Sequence, residues 1–134
     1  MSKILLDTNI CIYIINNKPP KVRKKLESHQ IGDIYLSSIT IADLYYEVCK
    51  SKRKEQNLLA LEHFITPFEI VEFDYQSALC YGKIRAELEK KGCVIGGMDM
   101  LIASCAMSIN ATLVSNNAQE FRRISGLKLE NWTE

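Results

Sequence analysis

Five residues of this chain carry side chains that could act together on a phosphate ester: Asp7, Asp43, Asp99, Asn117 and Glu120. Asp7 follows the apolar run Ile4-Leu5-Leu6 and precedes Thr8-Asn9, the pattern of a buried strand delivering an acid to its exposed carboxyl end. Asp43 falls in the first turn of a helix after a second strand. Asp99 begins the helix before a fourth strand, and Asn117 and Glu120 follow that strand. In a parallel sheet the carboxyl ends of the strands share one edge, so these segments should meet there. Hard oxygen ligands grouped in this way suit Mg2+ or Mn2+, which keep several waters and take only a few carboxylates. Such an ion polarises a phosphodiester, orients a water and lowers its pKa. With no His or Cys near these points, zinc is disfavoured.

The same residues admit a plainer reading. Asp7 could cap the helix that follows it. Thr40-Ile41-Ala42-Asp43 has the form of a capping box, and Asn117-Ala118-Gln119-Glu120 has it loosely. Glu47 sits one turn after Asp43 on the same helix face and competes with it as the relevant acid. Residue types and spacing leave a metal pocket and a set of caps both open.

The elements that must position these acids alternate in type. Lys3 to Leu6 reads as a buried parallel-type strand and Thr8 to Ile15 as a helix. Pro19-Pro20 opens a second helix carrying Val22 and Leu26. Ile34 to Ser37 is a strand, and Thr40 starts a helix reaching Cys49. Leu58 to Ile65 lies on a helix stopping before Pro67, and Ile70 to Phe73 is a third strand. Asp74 caps a long helix to Lys91, ended by Gly92. After a Gly96-Gly97 loop, a helix from Asp99 runs to Ile109, with Asn110 closing it. Thr112 to Ser115, a short helix from Ala118 and a strand at Leu127 to Leu129 complete the order. Strands alternating with helices indicate an α/β fold: a mainly parallel sheet of four to five strands flanked by helices as an α/β/α sandwich.

The chain has 134 residues, 47% of them hydrophobic and 25% charged, which suits one globular domain over residues 1–134. No apolar run approaches the roughly 18 residues that span a bilayer, and no signal-peptide pattern is present, so a cytoplasmic protein without membrane contact is expected. Five cysteines, with no Cys-x-x-Cys, read as reduced and buried core thiols. The net charge of +1 does not advertise nucleic-acid binding. The run Lys50-Ser51-Lys52-Arg53-Lys54 is a local exception, either a solvated connection or a phosphate contact. His29 and His63 read as surface residues. The Tyr45-Tyr46 pair and Trp132 read as packing or interface aromatics.

Six ordered segments carry a family resemblance. They are Leu-Leu-Asp-Thr-Asn at 5–9, Ser-Ser-Ile-Thr-Ile-Ala-Asp-Leu at 37–44 and Ile-Arg-Ala-Glu-Leu at 84–88. Then come Ile-Gly-Gly-Met-Asp-Met-Leu-Ile-Ala at 95–103, Leu-Val-Ser-Asn-Asn-Ala-Gln-Glu-Phe at 113–121 and Gly-Leu-Lys-Leu-Glu-Asn-Trp at 126–132. Over nearly its full length the chain resembles the PIN-domain ribonucleases, and among them the VapC toxins of type II toxin–antitoxin pairs.

The resemblance implies a PIN-like fold and a Mg2+- or Mn2+-dependent endoribonuclease, with tRNA suggested as substrate. It also implies inhibition by a VapB-type antitoxin, contact with operator DNA only through that antitoxin, and a homodimer. By position, Asp7, Asp43, Asp99 and Glu120 become the catalytic acids, with Asp7 and Asp99 on the metal. Asn9, Ser115 and Asn117 support them. Arg85, with Lys83 or the Lys50–Lys54 cluster, is the expected contact to RNA phosphates. Asp43 stands where the family usually has Glu, one methylene longer, so water-mediated contact is expected. Asn117 stands where Asp is frequent, which leaves Glu120 as the fourth acid. An antitoxin tail is expected beside the acids, with its apolar segment near Ile12, Ile15, Leu44 and Tyr45. Two other readings stand beside this one. The chain could be mainly a binding partner and co-repressor in an antitoxin–DNA complex, or a metal-dependent phosphatase. For the phosphatase, Asp7-Thr8-Asn9 lacks the second Asp of the usual Asp-x-Asp motif.

Overall fold

The computed structural model describes residues 2–134. The chain runs β1 (Ile4–Leu6), α1 (Thr8–Asn16), α2 (Pro20–Glu27), a 3-10 turn (Ile31–Asp33), β2 (Ile34–Ser37), α3 (Ser38–Lys50) and α4 (Lys54–Ile65). It continues through β3 (Glu69–Val71), α5 (Tyr75–Lys91), α6 (Gly97–Ser108), β4 (Thr112–Val114), α7 (Ala118–Phe121) and β5 (Lys128–Glu130). The strands form one sheet in the order β3-β2-β1-β4-β5, and every pairing is parallel. The expected strand bounds are off by a residue or two at β3, β4 and β5, where short strands fray into their loops.

β1 is central and covered on both faces, which is why it is apolar throughout rather than alternating. Its side chains still alternate in destination. Leu5 enters a core with Ile84 and Leu88 of α5, Ile102 and Ala106 of α6, and Phe121 of α7. Ile4 and Leu6 enter the opposite core with Ile10 and Ile14 of α1, Val22 of α2, Leu44 of α3 and Leu61 of α4. Each fully buried Leu or Ile contributes about 1.5–3 kcal/mol, so a register slip of β1 by one residue would exchange both cores. The expected α/β/α layering is therefore present, with α1 to α4 on one face and α5 to α7 on the other.

Local departures have local causes. α3 begins at Ser38, not Thr40, because Ser37 at the end of β2 supplies the capping oxygen to the Thr40 amide at 3.0 Å. α6 begins at Gly97, so Asp99 lies inside its first turn. Asp74 caps α5 as expected, accepting from the Ser77 amide at 2.9 Å. All five cysteines are free, but only Cys11 and Cys105 are buried, and Cys49 is exposed on α3. His63 is exposed, whereas His29 is partly buried and stacked on Trp132, with ring centroids 5.3 Å apart. Trp132 itself is core, at 1% exposure. Tyr46 is exposed, with the Lys50 ammonium over its ring.

Candidate active site

The strand order reverses at β1. The chain lays β2 and β3 on one side of it, then returns to lay β4 and β5 on the other. The carboxyl ends of β1 and β4 therefore flank the crevice where parallel α/β sheets bind ligands. Asp7 stands on this edge, and its amide extends the ladder by donating to the Val114 carbonyl at 3.1 Å. Its carboxylate Oδ1 accepts from the Ile10 amide at 3.0 Å and caps α1. Capping and pocket-forming are thus compatible at Asp7, since the cap fixes the orientation of the carboxylate.

For Asp43 the cap alternative is overturned. Ser37 takes that role and α3 has no acid in its first turn. Asp43 lies one turn further on, where its Oδ2 accepts from the Thr8 hydroxyl at 3.0 Å. This bond ties α3 to α1. After β4, the Ser115 amide donates to the Glu130 carbonyl at 3.0 Å, and the Ser115 hydroxyl oxygen accepts from the Asn117 amide at 2.9 Å. Asn117 caps nothing with its side chain. Its Nδ2 donates to Glu120 Oε2 at 2.6 Å.

The electrostatics join these side chains into one group. Burial pushes the Asp7 carboxyl from an ordinary 3.8 up to about 6. The Ser115 hydroxyl and the Ile10 amide oppose that rise, and the charge on Asp99 adds to it. Asp99 is also raised, first by partial burial, then by the charges of Glu120 and Asp43, with Asn117 pulling it back. Asp99 thus shares one field with Asp7, Asp43 and Glu120. Three salt bridges occur among the described residues, Lys50 to Glu47, Arg85 to Glu89 and Lys91 to Glu87, and none reaches this group.

Such a group favours a cation. The donors are carboxylate and amide oxygens, a set suited to Mg2+ or Mn2+. Among the described residues no three His, Cys, Asp or Glu side chains form a ready-made cage.

The remaining expected residues lie elsewhere. Asn9 is exposed on α1. Arg85 is exposed on α5, its Nε donating to Glu89 at 2.9 Å and its Nη1 to the Tyr81 hydroxyl at 3.0 Å. Glu47 pairs with Lys50 at 3.1 Å on the exposed side of α3. Thr8 orients Asp43, a role that its place in the Asp-Thr-Asn motif does not reveal. Asn116 bonds to Tyr13, and nothing local to either residue in sequence signals that bond.

Comparison with known proteins completes the description. The profile of the PIN domain matches residues 4–127. "Ribonuclease VapC2" of Rickettsia felis is 50% identical over 129 residues, covering 96% of this chain and 96% of that protein. "tRNA(fMet)-specific endonuclease VapC" of Shigella flexneri is 41% identical over 133 residues, covering 99% and 100%. The crystal structure of VapBC2 from Rickettsia felis bound to a DNA fragment from their promoter superposes with a TM-score of 0.88 at 48% identity, covering 96% of this chain and 98% of that one.

Proposed function

This chain belongs to the PIN-domain family, and on that premise we propose that it is a Mg2+- or Mn2+-dependent endoribonuclease, the toxin of a type II toxin–antitoxin pair. The observation that carries the reading is the convergence of Asp7, Asp43, Asp99 and Glu120 on one sheet edge with no cation paired to them among the described residues. The names of the relatives support RNA as substrate, and the Shigella protein's name supports tRNA.

A bound divalent ion supplies the charge that polarises a phosphodiester and makes a water acidic enough to attack it in line. The protein's part is to hold donors in place. Asp7 and Asp99 would hold the ion, and Asp43 and Glu120 would complete the acidic wall, directly or through water. Capping of α1 fixes the plane of Asp7. Thr8 sets the carboxylate of Asp43, and Asn117 sets that of Glu120. Ser115 supports Asp7 through its hydroxyl. Arg85 is the proposed contact to RNA phosphates, and it must loosen its hold on Glu89 to serve.

The proposed partners are a VapB-type antitoxin and a second copy of this chain, with operator DNA reached only through the antitoxin. A groove of about 280 Å3 between α1, α3 and α4, lined by Ile12, Ile15, Leu44, Val48 and Leu61 but not by Tyr45, suits an apolar antitoxin segment. A basic side chain from its tail would neutralise the acids. The test is RNA cleavage in Mg2+ or Mn2+ by antitoxin-free protein. If Asp7→Asn and Asp99→Asn cut as fast as the parent, the assignment is wrong. The promoter-bound relative favours one second reading, a chain that acts chiefly as co-repressor. It would prevail if purified protein forms the antitoxin complex and is inert on every RNA offered.

A further inference from the structure

Asn116 lies between Ser115 and Asn117, both members of the acidic site, yet its side chain leaves that site. Its Nδ2 donates to the Tyr13 hydroxyl at 2.9 Å, across 103 positions of the chain. Tyr13 sits on α1, the helix that Asp7 caps. Helical side chains lean toward the helix N-terminus, so the Tyr13 ring runs back along α1 to the edge where β4 stops. The other end of the amide is unsatisfied: Asn116 Oδ1 is buried with no hydrogen-bond partner, alone in this among side-chain atoms of the described residues. An asparagine free to turn outward would satisfy both ends in water. This one is half-buried, with its side chain against Tyr13.

The position explains what that tie can do. β1 and β4 are locked to each other through the register of Leu6 with Val114. The Asp7 amide adds one more backbone bond to that ladder, at 3.1 Å to the Val114 carbonyl, and beyond it the chain carries Asp7 and Glu120 on separate segments. α7, which carries Glu120, is only four residues long. Two side-chain hydrogen bonds tie the start of α1 to segment 115–121: Ser115 with the Asp7 carboxylate at the end of the ladder, and Asn116 with Tyr13 further along α1.

We propose that Tyr13 and Asn116 form a positioning pair that sets the separation between Asp7 and the Asn117–Glu120 side of the pocket. The role rests on the metal-dependent reading above. Neither residue touches the reacting atoms. Loss of the pair should loosen segment 116–121, weaken cation binding and slow the chemical step without altering RNA binding.

Tyr13→Phe deletes the hydroxyl and keeps the ring, and Asn116→Ala deletes the amide. The parent, both single variants and the double variant are compared by amide hydrogen exchange, by Mn2+ titration and by RNA cleavage. Each single variant is expected to speed exchange at residues 117–121 and to weaken Mn2+ binding roughly tenfold. kcat should fall by a similar factor with KM unchanged. The double variant should be no worse than the worse single, because both remove one bond. Exchange and Mn2+ affinity within about twofold of the parent in Tyr13→Phe would overturn the pair, as would single effects that multiply in the double variant. So would losses that merely track a lowered melting temperature. If the parent itself cuts no RNA, the proposed activity falls, while exchange and Mn2+ affinity still decide the positioning role.

Discussion

The acids at the ends of β1 and β4 and the ion pairs along α3 and α5 use the same kinds of side chain in opposite ways. Lys50 with Glu47, Arg85 with Glu89 and Lys91 with Glu87 are exposed partners three or four residues apart on one helix. Such pairs form because helical neighbours meet, and each is worth only a few tenths of a kcal/mol. Asp7, Asp43, Asp99 and Glu120 come from separate elements, lie in partial or full burial, and repel one another. Folding gains nothing from that repulsion. A charge cluster that the fold must tolerate, rather than one that neighbours create, is the better sign of function.

The sharpest way to break the comparison is to remove one charge from each region. Asp99→Asn should lower RNA cleavage on the order of a thousandfold in a steady-state assay. A drop of only a few-fold would reduce the cluster to a surface feature.

The cost of the acidic cluster should also be visible in stability. In metal-free protein the folded Asp7 holds its proton up to about pH 6, whereas the unfolded chain releases it near 3.8. Folding therefore binds a proton between those values, and stability falls as pH rises through them. The difference amounts to about 3 kcal/mol by pH 7.5. Partial burial and the charges of Glu120 and Asp43 give Asp99 the same sign. Urea denaturation in EDTA at pH 5 and pH 7.5 measures the slope, and Asp7→Asn should flatten it. The same variant should be more stable than the parent at pH 7.5 while cutting no RNA.

Adding the cation should relieve the repulsion. At one hundred times its dissociation constant, Mn2+ should stabilise the parent by about 2.7 kcal/mol, read as a rise in melting temperature. Asp99→Asn should lose most of that rise, and an equal rise in both proteins would place the ion elsewhere. The smallest effect belongs to the paired surface. Arg85→Ala should change stability by less than about 0.5 kcal/mol. It should leave kcat unaltered and raise KM no more than about threefold, with a shallower salt dependence. A large fall in kcat would move Arg85 into the pocket.

Much of the fold was legible because its signals are local. Apolar runs at Ile4–Leu6 and Ile34–Leu36, turn residues at Gly92 and Asn110, and the Asp74 cap each act within a few positions. Asp7 was legible as a strand-end residue for the same reason. Other features were not. Thr40 and Ser37 both look like caps, and only the observed start of α3 shows that Ser37 serves. Apolar neighbours in sequence do not fix which helix face turns inward, so Cys49 turns out although its segment is apolar. The stacking of half-buried His29 on Trp132 has no local signal, because the two are distant in the chain.

By itself the sequence determined the alternation of strands and helices, the burial of β1 on both faces, and the delivery of Asp7 to the end of β1 and of Asp99 and Glu120 to the first turns of α6 and α7. Those outcomes follow from hydrophobic period and capping, which act over a few residues. Tertiary structure alone decided that β1 lies between β2 and β4, that Thr8 serves Asp43, that Glu47 belongs to Lys50, and that Asn116 reaches Tyr13. Strand order is a non-local choice, and every hydrogen bond across the crevice depends on which strands became neighbours.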